Sequence, residues 1–337
     1  MSWYLESGQE PDVVISSRIR LARNIETINF VNKYNTQDVE KVIESTIDAC
    51  RNISENLKSI KLKDMDNITK LSLIEKHIIS PEFAVNTEKG VLLISEEENI
   101  AIMLNEEDHI RIQVLSAGIN LDSLYNLADK IDNDISKKIH YAYHTKYGFL
   151  TSCPTNAGTG LRASVMVHLP ALTITKNINR VLEVVNNVGM NIRGIYGEGT
   201  ESQGNIYQIS NKTSLGISEK EIIKNITVIS EKIVEQERLA RKHLLKDSTS
   251  LEDKICRSYG ILTYAKKISS SECSKLLSDV KLGVDLGIIK DITNQQINKL
   301  SIYVKTANLQ KYLAKELNEQ ERDIQRAKLI KNIIRKG

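Results

Sequence analysis

Hydrophobic positions in the first third of the chain recur with two different spacings. From residue 36 to residue 57 they fall at steps of three and four residues, which predicts one amphipathic helix. The members of this stripe are Val39, Val42, Ile43, Thr46, Ile47, Cys50, Ile53 and Leu57. Short apolar runs follow, and they predict successive antiparallel strands at 90–94, 100–104 and 110–115, with a polar turn at 96–99 after the first.

Similar patterns continue through the next hundred residues. Apolar or alternating stretches predict three further strands of the same sheet, at 163–169, 192–197 and 205–210, and a helical pattern at 178–188 lies between the first two. The fold class expected from this order is α+β, with a large antiparallel sheet flanked by helices.

A polar segment at 247–250, with the sequence Asp-Ser-Thr-Ser, is typical of a turn. Apolar positions beyond it keep helical spacing to the end of the chain. We therefore predict one domain at 1–246 and an all-helical C-terminal domain at 251–337. Short breaks in its helices are expected near Gly260, Gly283 and Gly287.

Composition narrows the class of protein. The 337 residues are 41% hydrophobic and 26% charged, with a net charge of only +3, so no charge excess indicates a nucleic-acid or membrane partner. No apolar run approaches the ~18–20 residues of a membrane span, and the N-terminus lacks the organisation of a signal peptide. We expect a cytoplasmic protein. The four cysteines are scattered and form neither a disulfide framework nor a metal-binding pair.

Two segments combine arginine with acidic or small polar residues. In the extended segment 16–20, SSRIR, Arg18 and Arg20 point to the same side, which would place two guanidiniums on one triphosphate. The alternative is a solvated basic pair at a strand end. The segment 105–111, NEEDHIR, has three adjacent acids that repel one another unless a cation offsets them. An acidic turn is the simpler interpretation of that segment taken alone.

Two further segments are loops rich in glycine. The loop at 151–162 leads into a strand and ends in Arg162, so its backbone N–H groups and that charge are suited to an anion. Cys153 within it is either a reactive thiolate or a buried structural cysteine. The segment 193–202 contains Glu198 and Glu201, which could accept from a cationic substrate in a mobile loop; the alternative is an ordinary hairpin.

The sequence contains neither a GxxxxGK[ST] loop nor the HRD and DFG elements, so nucleotide phosphates cannot be held in those ways. An arginine cage is the remaining means. Together, SSRIR, NEEDHIR, CPTNAGTGLRAS and RGIYGEGTE resemble the catalytic domain of the phosphagen (guanidino) kinase family, over roughly the first 240 residues. The resemblance implies a phosphagen-kinase-like catalytic domain followed by the helical domain.

Within that family the chain is most similar to the bacterial kinases of protein arginine. It begins directly at the catalytic domain, and it has Tyr196 and Gly199 where kinases of small guanidino compounds typically have Arg and His. The segment 322–327 matches an RDxxRA motif associated with phosphoarginine binding. The loss of an arginine at Tyr196 leaves open which group replaces that charge.

The resemblance implies roles for individual residues. Glu107 is the expected catalytic carboxylate, Glu198 or Glu201 the second anion, and Cys153 a neighbour of the substrate. The residues expected at the ATP site are Ser16, Ser17, Arg18, Ile19, Arg20, His77, Arg111, Arg162, Ala163, Ser164, Val165, Met166, Arg193, Gly194, Ile195, Tyr196, Gly197 and Glu198. Those expected to bind phosphoarginine are Arg322, Asp323, Arg326 and Ala327.

The expected reaction is transfer of the γ-phosphoryl group of ATP to arginine residues of proteins. A guanidinium is protonated and delocalised, so a carboxylate must orient it and accept its proton. ATP and Mg²⁺ are the expected cofactors, and no protein ligand set for the metal is visible. The alternatives are a kinase of a small guanidino metabolite and a catalytically inactive phosphoarginine-binding adaptor.

The expected partners are substrate proteins with exposed arginine residues and, by the family resemblance, a zinc-containing activator protein, a Clp protease and a heat-shock repressor. No direct nucleic-acid or membrane partner is expected. The C-terminal helices are a candidate homodimer surface.

Overall fold

The computed structural model describes residues 2–33, 35–51, 53, 55–194 and 202–335. Within these residues, eight strands form one antiparallel sheet in the order β2-β3-β4-β5-β1-β8-β10-β9, and two short strands pair separately. The strands are β1 (Val14–Arg23), β2 (Leu57–Lys61), β3 (Val91–Ser95), β4 (Ile100–Leu104), β5 (Ile110–Ala117), β6 (Tyr143–His144), β7 (Gly148–Phe149), β8 (Leu161–His168), β9 (Met190–Gly194) and β10 (Ile206–Asn211). The predicted strands and the α+β class are confirmed, with small shifts at the strand ends, and positions 195–197 of the strand predicted at 192–197 lie outside the described residues.

Helices cover the sheet and form the C-terminal part of the chain. They are α1 (Thr36–Cys50), α2 (Asn67–Glu75), α3 (Pro81–Val85), α4 (Leu121–Ser136), α5 (Pro170–Ile174), α6 (Ile178–Asn187), α7 (Glu219–Leu244), α8 (Ser248–Tyr264), α9 (Ser270–Asp285), α10 (Asn294–Tyr303), α11 (Thr306–Leu313) and α12 (Glu319–Arg335). The first predicted helix was too long, because α1 ends at Cys50 and Leu57 begins β2. Ile53 packs on the same core after the helix has ended, so the apolar spacing continues without helical backbone.

The sheet is buried differently on its two faces. One face packs with α1, α4, α6 and α7 into the main hydrophobic core. The other face, at the β2–β5 end, packs under α2 and α3 around Leu62, Phe83 and Met103. Polar and charged side chains occupy that second face in the strands beyond β5, and this part of the sheet positions the candidate site.

The C-terminal helices have a hydrophobic cluster of their own, from Leu251 to Ile334, whereas the main core ends at Ala240. The polar segment 247–250 is not a turn, because α8 begins at Ser248 and the chain stays helical through it. The division into domains at 1–246 and 251–337 stays a prediction. No helix in the described part of the chain has the length and apolar character that a membrane crossing requires.

The breaks predicted near Gly260 and Gly283 come a few residues later, because α8 ends at Tyr264 and α9 at Asp285. Gly260 lies inside α8 and Gly283 inside α9. A Cβ atom at Gly283 would lie 2.5 Å from a side-chain carbon of Ile255, so close packing explains that glycine. Gly287 has a φ of +72° and does follow the end of α9.

A buried ion pair fastens the sheet to the loop that enters β8. Arg23 makes hydrogen bonds to both carboxylate oxygens of Asp132 on α4, at 2.7 to 3.2 Å, and its guanidinium carbon lies 3.7 Å from the ring centre of Phe149. It also donates to the carbonyl oxygen of Thr159 at 3.0 Å. The interaction joins β1, α4 and both ends of the loop 149–160.

We expect Arg23→Ala to lower the free energy of unfolding by about 3–5 kcal/mol, because it leaves the Asp132 carboxylate buried without its partner. Arg51→Ala is the matched control, since the ion pair of Arg51 with Asp48 is exposed. That control should cost under about 1 kcal/mol. Urea unfolding of both variants measures the difference, and equal midpoints would contradict this account of Arg23.

Candidate active site

Five arginine side chains lie on one face of the sheet. Residues directly opposite each other on antiparallel strands project to the same face. Arg20 on β1 is opposite Arg162 on β8 and Gln113 on β5. Arg18 and Arg111 lie two residues from members of this row, and Arg193 on β9 is opposite Gln208, which is opposite Met166 on β8. Alternation places all five arginines on the face opposite the main core; the face that carries them is termed the arginine cleft below.

The positively charged side chains of the arginine cleft repel one another. Burial, together with the positive charges of Arg18, Arg111 and Arg162, holds the pKa of Arg20 well below its usual value. The Nε atom of Arg20 is buried and has no hydrogen-bond partner among the described residues. Burial, followed by the charge of Arg193, likewise lowers the pKa of Arg162. A bound polyanion would reduce this repulsion, and its oxygens would accept a hydrogen bond from the Nε–H of Arg20.

Arg18 and His77 line a small pocket at one end of the cleft. Arg18 donates to Ser164 Oγ at 3.3 Å and to Gln208 Oε1 at 3.0 Å. The pocket is lined by Ser16, Arg18, His77, Leu115, Ser164, Met166 and Gln208. Burial, with the nearby positive charges of Lys305 and Arg18, holds the pKa of His77 well below its usual value. The histidine is therefore neutral at neutral pH.

Four of the ten residues expected at the ATP site in the runs 16–20 and 162–166 have side chains that do not face the cleft. The side chains of Ser17, Ile19, Ala163 and Val165 lie on the opposite face and are fully buried. Ser17, for example, donates to the carbonyl oxygen of Gly118 at 2.7 Å. Alternate strand residues point to opposite faces, so these four side chains do not reach the cleft, and only their backbone could contact a ligand there. Ser16, Arg18, Arg20, Arg162, Ser164 and Met166 form the side that faces the cleft.

Glu106 is the buried counterion of Arg111. Its Oε1 accepts from a terminal nitrogen of Arg111 and from Ser80 Oγ, both at 2.6 Å. Its other oxygen accepts from the backbone N–H of Glu107 at 2.7 Å. Glu106 therefore holds Arg111 in place and has no open side for a substrate.

Unlike the buried Glu106, Glu107 has a side chain that is 43% exposed. Its Oε2 accepts from Arg111 at 3.0 Å and from Asn156 Nδ2 at 3.4 Å. Partial burial raises the pKa of Glu107 above its usual value; Arg111 acts against this shift, while Asp108 and Glu106 add to it. A partly desolvated carboxylate at the edge of an arginine cluster is suited to receive a cation and its proton.

Asp108 positions the neighbouring loop. Its Oδ1 accepts from Asn24 Nδ2 and from the backbone N–H of Ser152, both at 2.7 Å. The following residue, Cys153, is partly exposed, and its Sγ lies 3.0 Å from Thr155 Oγ1. Arg162 interacts electrostatically with both Cys153 and Glu107. The structure thus brings Glu107, Cys153 and the arginine cleft together.

The positioning roles of Glu106, Asp108, Ser80 and Asn156 were missed in the sequence. Nothing in the spacing of three adjacent acids distinguishes the one that meets Arg111 from the one that faces solvent. The run itself was the only available signal.

Part of the fourth segment lies outside the described residues. Ile195, Tyr196, Gly197, Glu198 and Glu201 are among these positions, so their expected roles stay predictions. Arg193 is exposed at the end of β9, and Gly194 is the last described residue before this segment.

The predicted phosphoarginine site has a different geometry from the one expected. Arg326 is 1% exposed, and it donates to the carbonyl oxygens of Val304 and Ile268 at 2.7 and 2.8 Å and to Asp323 at 2.6 Å. Arg322 is half-buried and donates to the carbonyl oxygen of Leu317 at 2.9 Å. Arg326 therefore points into the helical core and is not accessible to a ligand as the RDxxRA motif suggested, and the binding role of the segment stays a prediction. Ala327 is also buried.

Comparisons with known proteins agree with this geometry. A family model described as the ATP:guanido phosphotransferase C-terminal catalytic domain matches residues 38–240, and a model of the protein-arginine kinase McsB C-terminal domain matches residues 248–336. The chain is 47% identical to a protein-arginine kinase of Halothermothrix orenii over 98% of this chain and 95% of that protein. It is 45% identical to a protein-arginine kinase of Bacillus subtilis over 98% of this chain and 92% of that protein.

Two solved structures share the fold of the first part of the chain. Lombricine kinase is 25% identical with a TM-score of 0.60, and the match covers 69% of this chain and 68% of that one. The duplicated taurocyamine kinase of Schistosoma mansoni, solved with bound transition state analog components, is 28% identical with a TM-score of 0.60. That match covers 67% of this chain and a third (33%) of the duplicated protein.

We expect the Glu107 carboxyl to titrate above the usual glutamate value of about 4.3. As the pH falls, the carboxylate should therefore take up its proton earlier than an ordinary glutamate. Carbon NMR of glutamate-labelled protein, with the signal assigned through Glu107→Gln, measures this pKa. In Arg111→Gln it should rise further, since a positive charge that lowers it is lost. A value at or below that of an unfolded peptide of residues 105–111 would contradict this.

We expect Arg326→Ala to lower the free energy of unfolding by about 3 kcal/mol or more, because two buried carbonyl oxygens and Asp323 lose a charged donor. Arg322→Ala removes the hydrogen bond to the carbonyl oxygen of Leu317 and should cost about 1 kcal/mol. Thermal and urea unfolding compare the two variants. Equal stabilities would show that Arg326 is not the internal anchor described above.

Proposed function

The chain belongs to the ATP:guanido phosphotransferase family, in its protein-arginine kinase group, and we propose that it transfers the γ-phosphoryl group of ATP to arginine side chains of other proteins. The family membership inferred from four sequence segments is thereby confirmed. One observation of the structure carries the proposal: an arginine cleft, in which the buried Nε of Arg20 has no hydrogen-bond partner among the described residues, adjoins a partly exposed carboxylate, Glu107.

The arginine cleft and Glu107 have separate roles in the reaction. Arg18, Arg20 and Arg162 face the position expected for the phosphates, where their charge stabilises the transferring group. Glu107 orients the target guanidinium and accepts one proton from the attacking nitrogen. The N–P bond forms as the bond from the γ-phosphorus to the leaving oxygen of ADP breaks. The products are a phosphoarginine residue and ADP, with the released proton on Glu107.

Mg²⁺ enters this scheme with ATP, as part of the substrate. Among the residues the structure describes, no group of three or more His, Cys, Asp or Glu side chains is arranged to hold a metal ion. Glu106, the buried carboxylate nearest the cleft, is already occupied by Arg111 and Ser80. The phosphate oxygens are therefore the expected ligands of Mg²⁺, which would neutralise their charge.

A protein is favoured over a small guanidino compound as the phosphoryl acceptor. The two relatives that match this chain almost from end to end are named protein-arginine kinases, and the C-terminal model that matches is that of such a kinase. Glu107 and Cys153 are both partly exposed in the described structure. An arginine presented at the end of a side chain can approach such a site without complete enclosure. The matches to lombricine kinase and to the taurocyamine kinase cover 69% and 67% of this chain.

The cellular role is proposed from the same family membership. We propose that phosphorylation marks proteins for a Clp protease and inactivates a heat-shock repressor in the cytoplasm, with an activator protein as a further partner. Arg322 and Asp323, both half-buried at the start of α12, are the residues through which the C-terminal domain would contact phosphoarginine. A homodimer through the C-terminal helices belongs to the same proposal.

We expect Glu107→Ala to reduce phosphorylation of casein by at least ~100-fold, because proton acceptance and substrate orientation are lost together. The assay measures radioactive phosphate transferred from ATP to casein, and its loss on brief acid treatment identifies an N–P bond. Affinity for ATP, measured by calorimetry, should change little. Glu97→Ala, at an exposed acid of the β3–β4 turn, is the matched control and should keep full activity.

Free arginine and creatine serve as competing acceptors in the same assay. Rapid phosphorylation of either, with no labelling of casein, would contradict the proposed acceptor. A chain that transfers no phosphate at all but binds phosphoarginine would be an adaptor. Substantial activity of Glu107→Ala would instead assign proton acceptance to another carboxylate.

A further inference from the structure

One contact joins the C-terminal helices to the turn that carries His77. The helix α11 begins at Thr306, and its first free N–H groups point at a carboxylate of α2 in the catalytic domain. The N–H of Ala307 donates to both oxygens of Glu75 at 2.9 and 3.1 Å, and the N–H of Asn308 donates at 2.9 Å. A carboxylate at this position interacts favourably with the helix dipole and satisfies donors that the helix leaves open.

Further hydrogen bonds reinforce the same contact. The side-chain amide of Asn308 donates to Glu75 at 2.8 Å and accepts from Ser72 Oγ at 2.8 Å. Lys305 Nζ donates to the backbone carbonyl oxygen of Glu75 at 2.7 Å. Ser72 and Asn308 are both buried. Glu75, Ser72, Lys305, Ala307 and Asn308 are termed the interdomain clamp below.

The turn beside the clamp is held from its other side by the sheet. Gln113 on β5 donates its side-chain amide to the carbonyl oxygens of His77 and Ile78 at 3.0 and 2.7 Å. Gln113 lies opposite Arg20 in the arginine cleft. His77 has a φ of +61°, a conformation that a non-glycine residue keeps only where its surroundings fix it. The position of His77 therefore depends on contacts from both domains.

An interdomain cavity of about 140 Å³ continues from this turn. His77 and Met166 line both this cavity and the small pocket beside Arg18. Its C-terminal wall includes Ile302 and Val304, just before α11. Trp3 and His168, from the catalytic domain, line the opposite side. A mostly apolar, concave lining between two domains is typical of a small-molecule site.

Strand β8 runs from the expected position of the phosphates towards this cavity. Arg162, Met166 and His168 lie on the same face of β8, and successive side chains on one face are ~6.6 Å apart along a strand. Phosphates held near Arg162 leave the rest of a nucleotide free to run along β8 towards His168. That end of β8 lies against the C-terminal helices, since His168 Nε2 is 2.8 Å from Ser278 Oγ on α9.

We propose that the C-terminal helical domain completes the nucleoside end of the nucleotide site. Glu75 is the positioning residue that holds the two domains in this relative position. The inference rests on the proposed kinase function and deepens it. The phosphates bind to the catalytic domain alone, whereas the nucleoside also requires the wall that the clamp fixes. Nucleotide affinity thereby depends on a domain that contributes no arginine to the cleft.

Two variants test the proposal from opposite sides of the clamp. Glu75→Gln removes the charge at the start of α11, and Asn308→Ala removes the side-chain hydrogen bonds of Asn308 to Glu75 and Ser72. Each should raise the KM for ATP by roughly 5- to 50-fold, with kcat at saturating ATP unchanged. The affinity for inorganic triphosphate, which can occupy only the arginine cleft, should stay at the wild-type value in calorimetry. Glu88→Gln, at an exposed position after α3, is the matched control and should change neither constant.

The outcomes separate the inference from the proposed function. Phosphorylation of casein by the unaltered chain in the same assay tests the function alone. An unchanged KM for ATP in both variants, or an equal loss of affinity for ATP and triphosphate, would overturn the inference while leaving the kinase intact. A thermal melt accompanies each variant, and where Glu75→Gln unfolds the protein, Asn308→Ala supplies the result.

Discussion

Repulsion among the arginine side chains of the cleft is the constraint on which the site depends. Two unit charges about 6 Å apart at an effective dielectric constant of ~20 interact by roughly 3 kcal/mol, so several guanidiniums on one sheet face cost stability in the absence of an anion. Arg111 is neutralised by Glu106, whereas Arg20 lies beside three other arginines, its pKa is lowered, and its buried Nε has no hydrogen-bond partner in the described part of the chain. A triphosphate supplies the missing negative charge, which explains why this arrangement suits nucleotide binding.

The rest of the fold keeps this charge in place. Because strand residues alternate, the face of β1 opposite Arg18 and Arg20 packs into the main core, and the backbone under the guanidiniums is fixed by that packing. Arg23 lies on the face of the sheet that packs into the main core, and its role is different. Its buried ion pair with Asp132 stabilises the loop that carries Cys153. The adjacent acids Glu106 and Glu107 also have different roles, because their side chains have different surroundings. Glu106 orients Arg111, and Glu107 is left partly exposed towards a substrate.

Much of the fold could be predicted because it depends on local periodicity, whereas the roles of Glu107, Arg111 and Arg162 were expected from the family resemblance. Alternation alone placed Arg18 and Arg20 on one side, and apolar runs located the strands. Features that depend on a distant partner could not be predicted. The spacing at Leu57 looked helical although the chain had entered β2, and Gly283 resembled a helix break although it makes room for Ile255. Arg326 fits a ligand-binding motif, but its partners are carbonyl oxygens of Ile268 and Val304, far from it in sequence.

The central claim is that a triphosphate lies on the arginine cleft with a target guanidinium opposite it at Glu107. A crystal structure with ADP, Mg²⁺, nitrate as a planar mimic of the transferring group, and an arginine-containing peptide tests it most directly. The account predicts phosphate oxygens within hydrogen-bonding distance of Arg18, Arg20 and Arg162, with the peptide guanidinium contacting Glu107. A nucleotide bound elsewhere, or a guanidinium that approaches from a side away from Glu107, would contradict it.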